Sequence, residues 1–291
     1  MHKPRLYAPG PVEVPPQVLE AAARPLMHHR TKAFEELFSS VRASLARLAC
    51  VPGDDVLVLA GSGTAGFEAG LLASVPAGSK VVGINAGKFG ERWVKLARHY
   101  GYEVVEMRLP WGQTAQPDAL HELLASHPDT AAVMTTHSET STGVLHDVES
   151  LARTVHQMTP EALVLVDCVT SLGVAELRPR EWGLDGMFSG SQKGLMTPPG
   201  LAFAWLSERA WRSRQDLRPS FYLDLRKERD RQAKAQTAYT PAVSLIAALD
   251  AALALLLEEG IELVWERRAL QNRAVLAGAE ALDCRRFAER V

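Results

Sequence analysis

Residues 163–171 have the sequence LVLVDCVTS, in which a continuous apolar run ends at an aspartate followed by small and polar residues. An apolar run without alternation is typical of a strand that is covered on both faces of its sheet. Asp167, at the end of the run, is costly to bury unless it has a partner. The stretch therefore predicts a central strand with a candidate functional side chain at its carboxyl end.

Six further apolar runs alternate with segments of helical periodicity. The runs span residues 56–60, 80–85, 103–108, 131–136, 186–189 and 201–206. Helices are predicted at 17–23, 33–50, 65–74, 91–100, 119–125, 148–157 and 243–258, followed by an amphipathic segment to about residue 282. Repeated strand–helix units favour right-handed crossovers, so we expect an α/β fold with a mostly parallel central sheet between helices. No helix separates the last two runs, which predicts one antiparallel strand.

The composition argues against several classes of protein. The 291 residues include 32 basic and 34 acidic side chains, and this balance disfavours a dedicated nucleic-acid-binding protein. Three scattered cysteines fit neither a disulfide framework nor a structural zinc site. The first residues lack the apolar run of a secretory signal, and no run of eighteen apolar residues occurs. We expect a cytoplasmic globular protein without a membrane segment or a metal.

Two loops of small residues follow predicted strands. Residues 60–65 are AGSGTA, in which glycines let backbone amides approach a ligand and the next helix directs its positive end at an anion. The same residues can also form a simple turn in which Ser62 or Thr64 caps the helix. Residues 189–194 are SGSQKG and place Lys193 among small neighbours. A lysine is solvated by default, but a desolvated lysine amine has a lowered pKa and becomes a nucleophile.

These loops and Asp167 are expected to meet, because ligands in open α/β sheets bind beyond the carboxyl ends of the strands. By itself, Asp167 can bind a metal, pair with a protonated ring nitrogen, or cap the following turn. Together, an anion cradle, a carboxylate and a lysine match pyridoxal phosphate, which has a phosphate, a ring nitrogen and an aldehyde. The combination is far more specific than any of its members.

The sequence resembles the class V aminotransferases of fold type I, and among them the alanine–glyoxylate and serine–pyruvate aminotransferase branch. The resemblance runs from Pro9 to the helix after Thr240. Its most specific segments are GSGT at 61–64, ETSTG at 139–143, VDCVTS at 166–171 and SGSQKG at 189–194. It implies a homodimeric transaminase dependent on pyridoxal phosphate, which exchanges amino groups between small amino acids and 2-oxo acids. Alanine or serine would be the donor, and glyoxylate or pyruvate the acceptor.

The resemblance also implies roles for individual residues. Lys193 corresponds to the catalytic lysine that forms a Schiff base, and Asp167 to the catalytic partner of the pyridinium nitrogen. The phosphate is expected to contact Ser62, Gly63, Thr64 and Gln192, together with Thr240 donated by the second subunit. The ring is expected to contact Phe89 by stacking, Thr140 near the ring oxygen, and Val169 below. Phe89 can equally be a core residue, and Thr140 the start of a turn before Gly143.

The expected organisation has three parts. Residues 1–15 form a proline-rich arm, residues 16–259 the PLP-binding large domain, and residues 260–291 the start of a small C-terminal domain. Relatives continue this small domain to an arginine that clamps the substrate carboxylate, whereas Arg285, Arg286 and Arg290 do not match that arginine. The segment 221–234 mixes both signs of charge, which predicts a solvated loop or helix face rather than an anion site.

Three alternatives to a transaminase follow from the same residues. A protein that binds pyridoxal phosphate without turnover is expected if the substrate-clamping segment is absent. A cysteine desulfurase is disfavoured because Gln192 stands where those enzymes typically have histidine, and Phe89 replaces their ring-stacking histidine. A nucleotide-binding protein is disfavoured because residues 61–65 contain no Walker lysine.

Overall fold

The computed structural model describes residues 5–53, 56–212 and 220–290, and within them nine strands. The strands are β1 (Leu57–Ala60), β2 (Lys80–Asn85), β3 (Glu103–Arg108), β4 (Ala132–Thr136), β5 (Ser138–Glu139), β6 (Val144–Leu145), β7 (Leu163–Asp167), β8 (Gly186–Gly190) and β9 (Leu201–Leu206). β5 and β6 pair as a small hairpin, and the other seven strands form one central sheet. Each of the seven predicted runs corresponds to one strand of that sheet.

The strand order across the sheet is β1-β9-β8-β7-β4-β2-β3. The strand β9 is antiparallel to both of its neighbours, β1 and β8, and the remaining adjacent pairs are parallel. The mostly parallel α/β sheet and its one antiparallel strand are thus confirmed. Because β1 and β8 both oppose β9, they share a direction, and the carboxyl ends of β1, β4, β7 and β8 lie at one edge of the sheet.

Helices cover both faces of the sheet. The described helices are α1 (Pro16–Ala22), α2 (Lys32–Leu48), α3 (Gly63–Ser74), α4 (Lys88–His99), α5 (Pro117–Ser126), α6 (Val148–Met158), α7 (Glu208–Arg212), α8 (Leu225–Gln232), α9 (Val243–Glu259) and α10 (Ile261–Glu280). Helices α2, α5, α6 and α9 and the start of α10 pack on one face. Helices α3, α4, α7 and the start of α8 pack on the other. None of these helices has the length and hydropathy needed to span a bilayer.

The strand β7 shows why its sequence is continuously apolar. Val164 and Val166 belong to the core on one face, and Leu163 and Leu165 to the core on the other. All four side chains are buried, with at most 6% exposed. Burying one such side chain stabilises the fold by about 1.5–3 kcal/mol, so a polar residue on either face of β7 would lower the stability.

The charged segment 221–234 differs from a purely solvated element. It contains α8, whose start is capped by the Asp224 carboxylate, which accepts hydrogen bonds from the backbone N–H groups of Arg226 and Lys227. One side of this helix is buried, and Gln232 bonds both the N–H and the carbonyl of Val58 in edge strand β1. The buried side chain thereby satisfies backbone groups that the edge would otherwise leave unpaired. Charge composition alone gave no sign of this buried face.

The arm and the C-terminal residues both lie against the main body. Residues 5–15 contain no helix or strand, as predicted, and residues 1–4 lie outside the described residues. The Val12 N–H donates to the Gln192 carbonyl over 3.1 Å, which fixes the arm beside the loop after β8. Near the other terminus, the Leu145 N–H donates to the Arg290 carbonyl over 3.0 Å. The division into domains at residue 260 stays a prediction.

Candidate active site

The loop from β1 to α3 forms the predicted anion cradle. Ser62 is the N-cap of α3, yet its side chain makes no capping hydrogen bond, and the first turn contains no acidic residue. A Cβ built on Gly63 would lie 2.4 Å from Cγ2 of Val169, so only glycine permits this approach of the two loops. The free N–H groups and positive end of α3 therefore face an edge where the β7 loop also arrives.

Gln192 completes the cradle from the loop after β8. A Cβ built on Gly190 would lie 3.0 Å from Gln192 Oε1 and 3.2 Å from the Gly63 nitrogen, which places these three residues side by side. The Oε1 atom is buried and has no hydrogen-bond partner among the described residues. A buried polar atom without a partner is unfavourable, and such atoms in native proteins call for an explanation, such as a ligand or water.

Asp167 lies at the carboxyl end of β7 and is 5% exposed. Its Oδ1 accepts a hydrogen bond of 2.8 Å from the Val169 N–H, and no other described donor bonds the carboxylate. Burial raises the pKa of Asp167 to about 7; the Val169 hydrogen bond opposes this shift and the nearby Glu139 adds to it. The carboxyl group is thus short of partners and well placed to exchange or share a proton with a basic ligand atom.

Lys193 lies in the loop after β8 and is 9% exposed. Its Nζ donates a hydrogen bond of 3.0 Å to the Pro9 carbonyl in the arm. Burial lowers the pKa of Lys193, and the charge of Asp167 partly offsets this effect. A lysine with a lowered pKa has a larger uncharged fraction at neutral pH and is therefore a better nucleophile and base.

Phe89 lies in the first turn of α4, not in a loop before it, because α4 begins at Lys88 rather than near residue 91. The early start is fixed by Glu139, which is fully buried in β5. Its carboxylate accepts hydrogen bonds from the Phe89 N–H at 3.1 Å and the Gly90 N–H at 2.9 Å. It also accepts from the Ser141 hydroxyl at 2.6 Å. A carboxylate at a helix N-terminus is stabilised by the helix dipole, and here it also fixes the position of Phe89.

Two predicted contacts remain. Thr140 lies within hydrogen-bond distance of Thr170, with 2.6 Å between their hydroxyl oxygens, so it belongs to the same edge as Asp167. Thr240 is exposed and lines a small cavity with Ala60, Tyr222 and Tyr239, beside the end of β1. Nine of the ten predicted site residues thus lie at the carboxyl edge, and Thr240 is exposed in the small cavity beside the end of β1.

Three residues at the site were missed by sequence reasoning: Pro9, Arg92 and Glu139. Pro9 and Glu139 lie in segments that carry the family resemblance, but their contacts join parts of the chain far apart in sequence. Arg92 follows Phe89 by three residues, a spacing that would have paired them if α4 had been predicted to start at its true position. The guanidinium lies 4.9 Å from the centroid of the Phe89 ring.

A cavity of about 480 Å³ lies at the opposite edge of the sheet. Its lining includes Asp185, Trp205, Arg209 and Trp211, and none of the predicted site residues. The Asp185 carboxylate there is fully hydrogen-bonded. Size alone therefore does not mark the functional site; the unsatisfied polar groups at the carboxyl edge do.

The residues at this edge fit the cofactor that the sequence predicted. The unpaired Gln192 Oε1, the uncapped start of α3 and the hydroxyls of Ser62 and Thr64 suit a phosphate ester. Asp167 has an uncommitted oxygen for a ring nitrogen, and Lys193 is a buried amine for an aldehyde. Phe89 and Val169 supply apolar surface for a flat ring.

Comparison with known proteins agrees with this geometry. The family described as Aminotransferase class-V matches residues 8–290. A curated relative, named soluble hydrogenase, small subunit, from a Synechococcus species, is 41% identical over 284 residues, which are 97% of this chain and 73% of the relative.

Two solved structures are similar over nearly the whole chain. An aspartate aminotransferase of subgroup IV from Thermus thermophilus is 38% identical, with a TM-score of 0.89 over 99% of this chain and 80% of that one. An alanine–glyoxylate aminotransferase from a Nostoc species is 30% identical, with a TM-score of 0.90 over 97% of this chain and 75% of that one.

Proposed function

Because the chain belongs to the class-V aminotransferase family, we propose that it transfers the amino group of a small amino acid to glyoxylate or pyruvate at Lys193 and Asp167. The family and fold make it a pyridoxal-phosphate-dependent aminotransferase. The proposal concerns its substrates, the role of each residue and the sharing of sites between subunits.

The observation that carries the proposal is that a buried carboxylate and a buried lysine amine, each with one described side-chain hydrogen bond, lie at one sheet edge. Burial raises the pKa of Asp167 to about 7 and lowers the pKa of Lys193. Asp167 ends β7, and Lys193 lies in the loop that follows the neighbouring parallel strand β8, beside the glycine cradle. Titratable groups with perturbed pKa values that meet in this way are typical of catalytic sites.

Bound pyridoxal phosphate supplies an aldehyde that condenses with amines and a ring that withdraws electron density from the substrate Cα. In our proposal Asp167 holds a proton at the ring nitrogen, because a buried carboxylate is stabilised by a cationic partner. The Lys193 amine would take the proton from the substrate Cα and deliver it to the aldehyde carbon of the cofactor, which the transferred nitrogen separates from Cα. When the Lys193 amine is not bonded to a ligand, it donates a hydrogen bond to the Pro9 carbonyl.

Other residues position groups and exclude water. Phe89, held by Glu139 at the start of α4, and Val169, packed on Gly63, provide the apolar surroundings of the ring. Apolar surroundings strengthen the attraction between Asp167 and a protonated nitrogen, since less water screens it. Ser62, Gly63, Thr64 and Gln192 hold the phosphate and so fix the orientation of the whole ligand.

The choice of substrates rests on similarity. The Nostoc structure is named for alanine and glyoxylate, and the Thermus structure for aspartate. Alanine, serine and aspartate are therefore the donors to compare, with glyoxylate and pyruvate as acceptors. All five share a carboxylate beside the reacting carbon, which a single anchoring group can bind.

Absorbance spectra during titration with each donor test the proposal. We expect purified protein with pyridoxal phosphate to absorb near the visible range, and a competent donor to change that spectrum until an acceptor restores it. Borohydride should fix the cofactor to Lys193, as located by peptide mass mapping. Attachment at another lysine would contradict the assignment of Lys193, and a spectrum unchanged by every donor would contradict the substrate class.

We also propose that the enzyme is a two-fold homodimer with sites shared between subunits. Thr240 is exposed beside an aromatic surface in which Phe221 is 84% and Tyr222 49% exposed. Exposed aromatic groups of this kind favour burial against a partner, and closed two-fold dimers are the commonest assemblies. Sedimentation of the cofactor-loaded protein should give a dimer, and Thr240→Ala should weaken cofactor binding; a monomer at micromolar concentration would refute the proposal.

A further inference from the structure

Arg92 contacts two residues that are predicted to bind the cofactor, Thr64 on α3 and Phe89 on α4. Its Nη1 donates a hydrogen bond of 3.2 Å to Thr64 Oγ1 at the start of α3. Its guanidinium carbon lies 4.9 Å from the centre of the Phe89 ring, one turn earlier on α4. A cation at this distance from an aromatic face is attracted by the ring quadrupole.

The charge of Arg92 is not neutralised by an ion pair. No carboxylate of the described chain lies within salt-bridge distance of its guanidinium, although neighbouring Glu91 pairs with Lys88 and Lys95. Arg98, on the same helix, instead pairs with Glu106 at 2.8 Å. Arg92 therefore keeps its donors for the Thr64 hydroxyl and its face for Phe89.

We propose that Arg92 is a positioning residue that ties Phe89 to Thr64 and so sets the spacing between the ring-stacking side chain and the phosphate cradle. The inference rests on the proposed function, since it needs both side chains to contact the cofactor. A rotation of Phe89 away from Thr64 would break one of the two Arg92 contacts. The planar guanidinium suits this role, because it stacks on a ring while its edge donates hydrogen bonds, and lysine cannot do both.

The test compares Arg92→Met, Arg92→Lys and a control, Arg98→Met, which removes an arginine from α4 away from the site. The readouts are the dissociation constant of pyridoxal phosphate and the visible circular dichroism of the bound cofactor. We expect Arg92→Met and Arg92→Lys to weaken binding about threefold to tenfold, the scale of one cation–π contact and one hydrogen bond. Both should alter the dichroism, and Arg98→Met should leave it unchanged.

A double-mutant cycle with Phe89→Leu shows whether Arg92 acts through Phe89. If it does, Arg92→Met has little further effect on affinity or dichroism once Phe89 is replaced, because contacting residues are non-additive. Additive effects would overturn the inference, as would wild-type behaviour of Arg92→Lys, which would indicate a requirement for charge alone. A wild-type protein that binds no pyridoxal phosphate at Lys193 would refute the proposed function and this inference together. Binding at Lys193 with additive variants refutes the inference alone.

Discussion

Two buried aspartates at opposite ends of neighbouring strands have opposite surroundings. Asp185 precedes β8 at the amino edge, and its carboxylate accepts from the Val164 N–H at 2.9 Å, the Ser207 hydroxyl at 2.7 Å and Arg209 Nε at 3.0 Å. A second Arg209 nitrogen bonds the other oxygen. Asp167, at the carboxyl edge, accepts one described hydrogen bond and has no ion pair in the described chain.

The difference separates a structural carboxylate from a chemical one. Both side chains are at most 5% exposed, so burial does not distinguish them. The fold provides Asp185 with donors that stabilise its charge, whereas Asp167 is left with an uncommitted oxygen and a pKa raised to about 7. An unsatisfied buried acid costs stability, and such costs are concentrated at functional sites.

The lysines of the two edges give the largest expected contrast. Lys80, at the amino edge, bonds Asp129 at 2.7 Å and lies 3.4 Å from Glu103, whereas Lys193 contacts a carbonyl. Lys193→Ala should lower transamination by a factor of about 10²–10⁴ or more, since both the bond to the aldehyde and the proton transfer are lost. Lys80→Ala should retain the activity and the borohydride adduct. Wild-type turnover in Lys193→Ala would remove that residue from the mechanism.

The pH dependence of stability should reveal the proton on Asp167. Without cofactor, the folded protein keeps this proton up to about pH 7, whereas the unfolded chain loses it near the ordinary value of 3.8. The stability contributed by the raised pKa is therefore present below pH 4 and lost as the pH rises through 7. The whole interval corresponds to at most about 4 kcal/mol.

Urea unfolding of cofactor-free wild type and Asp167→Asn at pH 5 and pH 8 measures this effect. The free energy of unfolding of the variant minus that of wild type should be larger at pH 8 than at pH 5, because only wild type loses the stability linked to the Asp167 proton. His137 and His146 have pKa values lowered by burial to about 3 and 4, and stability linked to them is lost as the pH falls below 6.5. They are present in both proteins, so their contribution cancels. A stability difference that does not change with pH would contradict the raised pKa.

Asp185→Asn should lower the stability of the protein but leave its cofactor chemistry intact. We expect the free energy of unfolding to fall by about 3 kcal/mol, the low end for a broken buried ion pair because the Arg209 side chain is 35% exposed. Cofactor attachment at Lys193 should persist below the unfolding transition, as shown by borohydride trapping. Unchanged stability would mean that the Asp185 network is not a structural element.

Asp167→Asn should reduce transamination at least tenfold while the cofactor-free protein stays folded. The variant loses a charge-assisted hydrogen bond to the ring nitrogen, which contributes about 1.5–3 kcal/mol. Steady-state rates and cofactor titration measure the loss. Unchanged rate and affinity would contradict the contact between Asp167 and the ring nitrogen. The distinction between a chemical Asp167 and a structural Asp185 would then be wrong.

A further expected effect concerns the arm over Lys193, and it acts on the rate at which the Lys193 adduct forms. A Cβ built on Gly10 would lie 2.3–2.7 Å from Cδ, Cε and Nζ of Lys193, at a backbone φ of +147°. Gly10→Ala should slow formation of the Lys193 adduct about tenfold, because a displaced amine reacts poorly. Gly78→Ala is the matched control, since Gly78 has φ +77° and no atom within 4 Å of a built Cβ. Equal slowing in both variants would trace the effect to backbone strain alone.

The sequence was sufficient for the strands and most helices because their signals are local. Continuous apolar runs marked every strand of the central sheet, and β7 illustrates the reason, since both of its faces are buried. The hairpin of β5 and β6 was not predicted, because two-residue strands have no periodicity. The buried face of α8 escaped as well, since Gln232 is polar and is buried by its bonds to Val58.

By itself, the sequence determined the chemical groups of the site. Parallel strands end at one edge, so an acid after β7, a lysine after β8 and glycines after β1 were bound to meet there. Their residue types then restricted the cofactor to one that carries a phosphate, a ring nitrogen and an aldehyde.

Only the tertiary structure decided how those groups are held. Pro9 reaches Lys193 across 184 positions of chain, Glu139 reaches Phe89 across 50, and Arg92 reaches Thr64 across 28. Such contacts depend on how the helices, hairpin and arm pack on the sheet, and no local pattern encodes them. The same packing supplied Asp185 with donors and withheld them from Asp167, because desolvation and hydrogen bonding belong to the folded surroundings of a side chain and not to its neighbours in sequence.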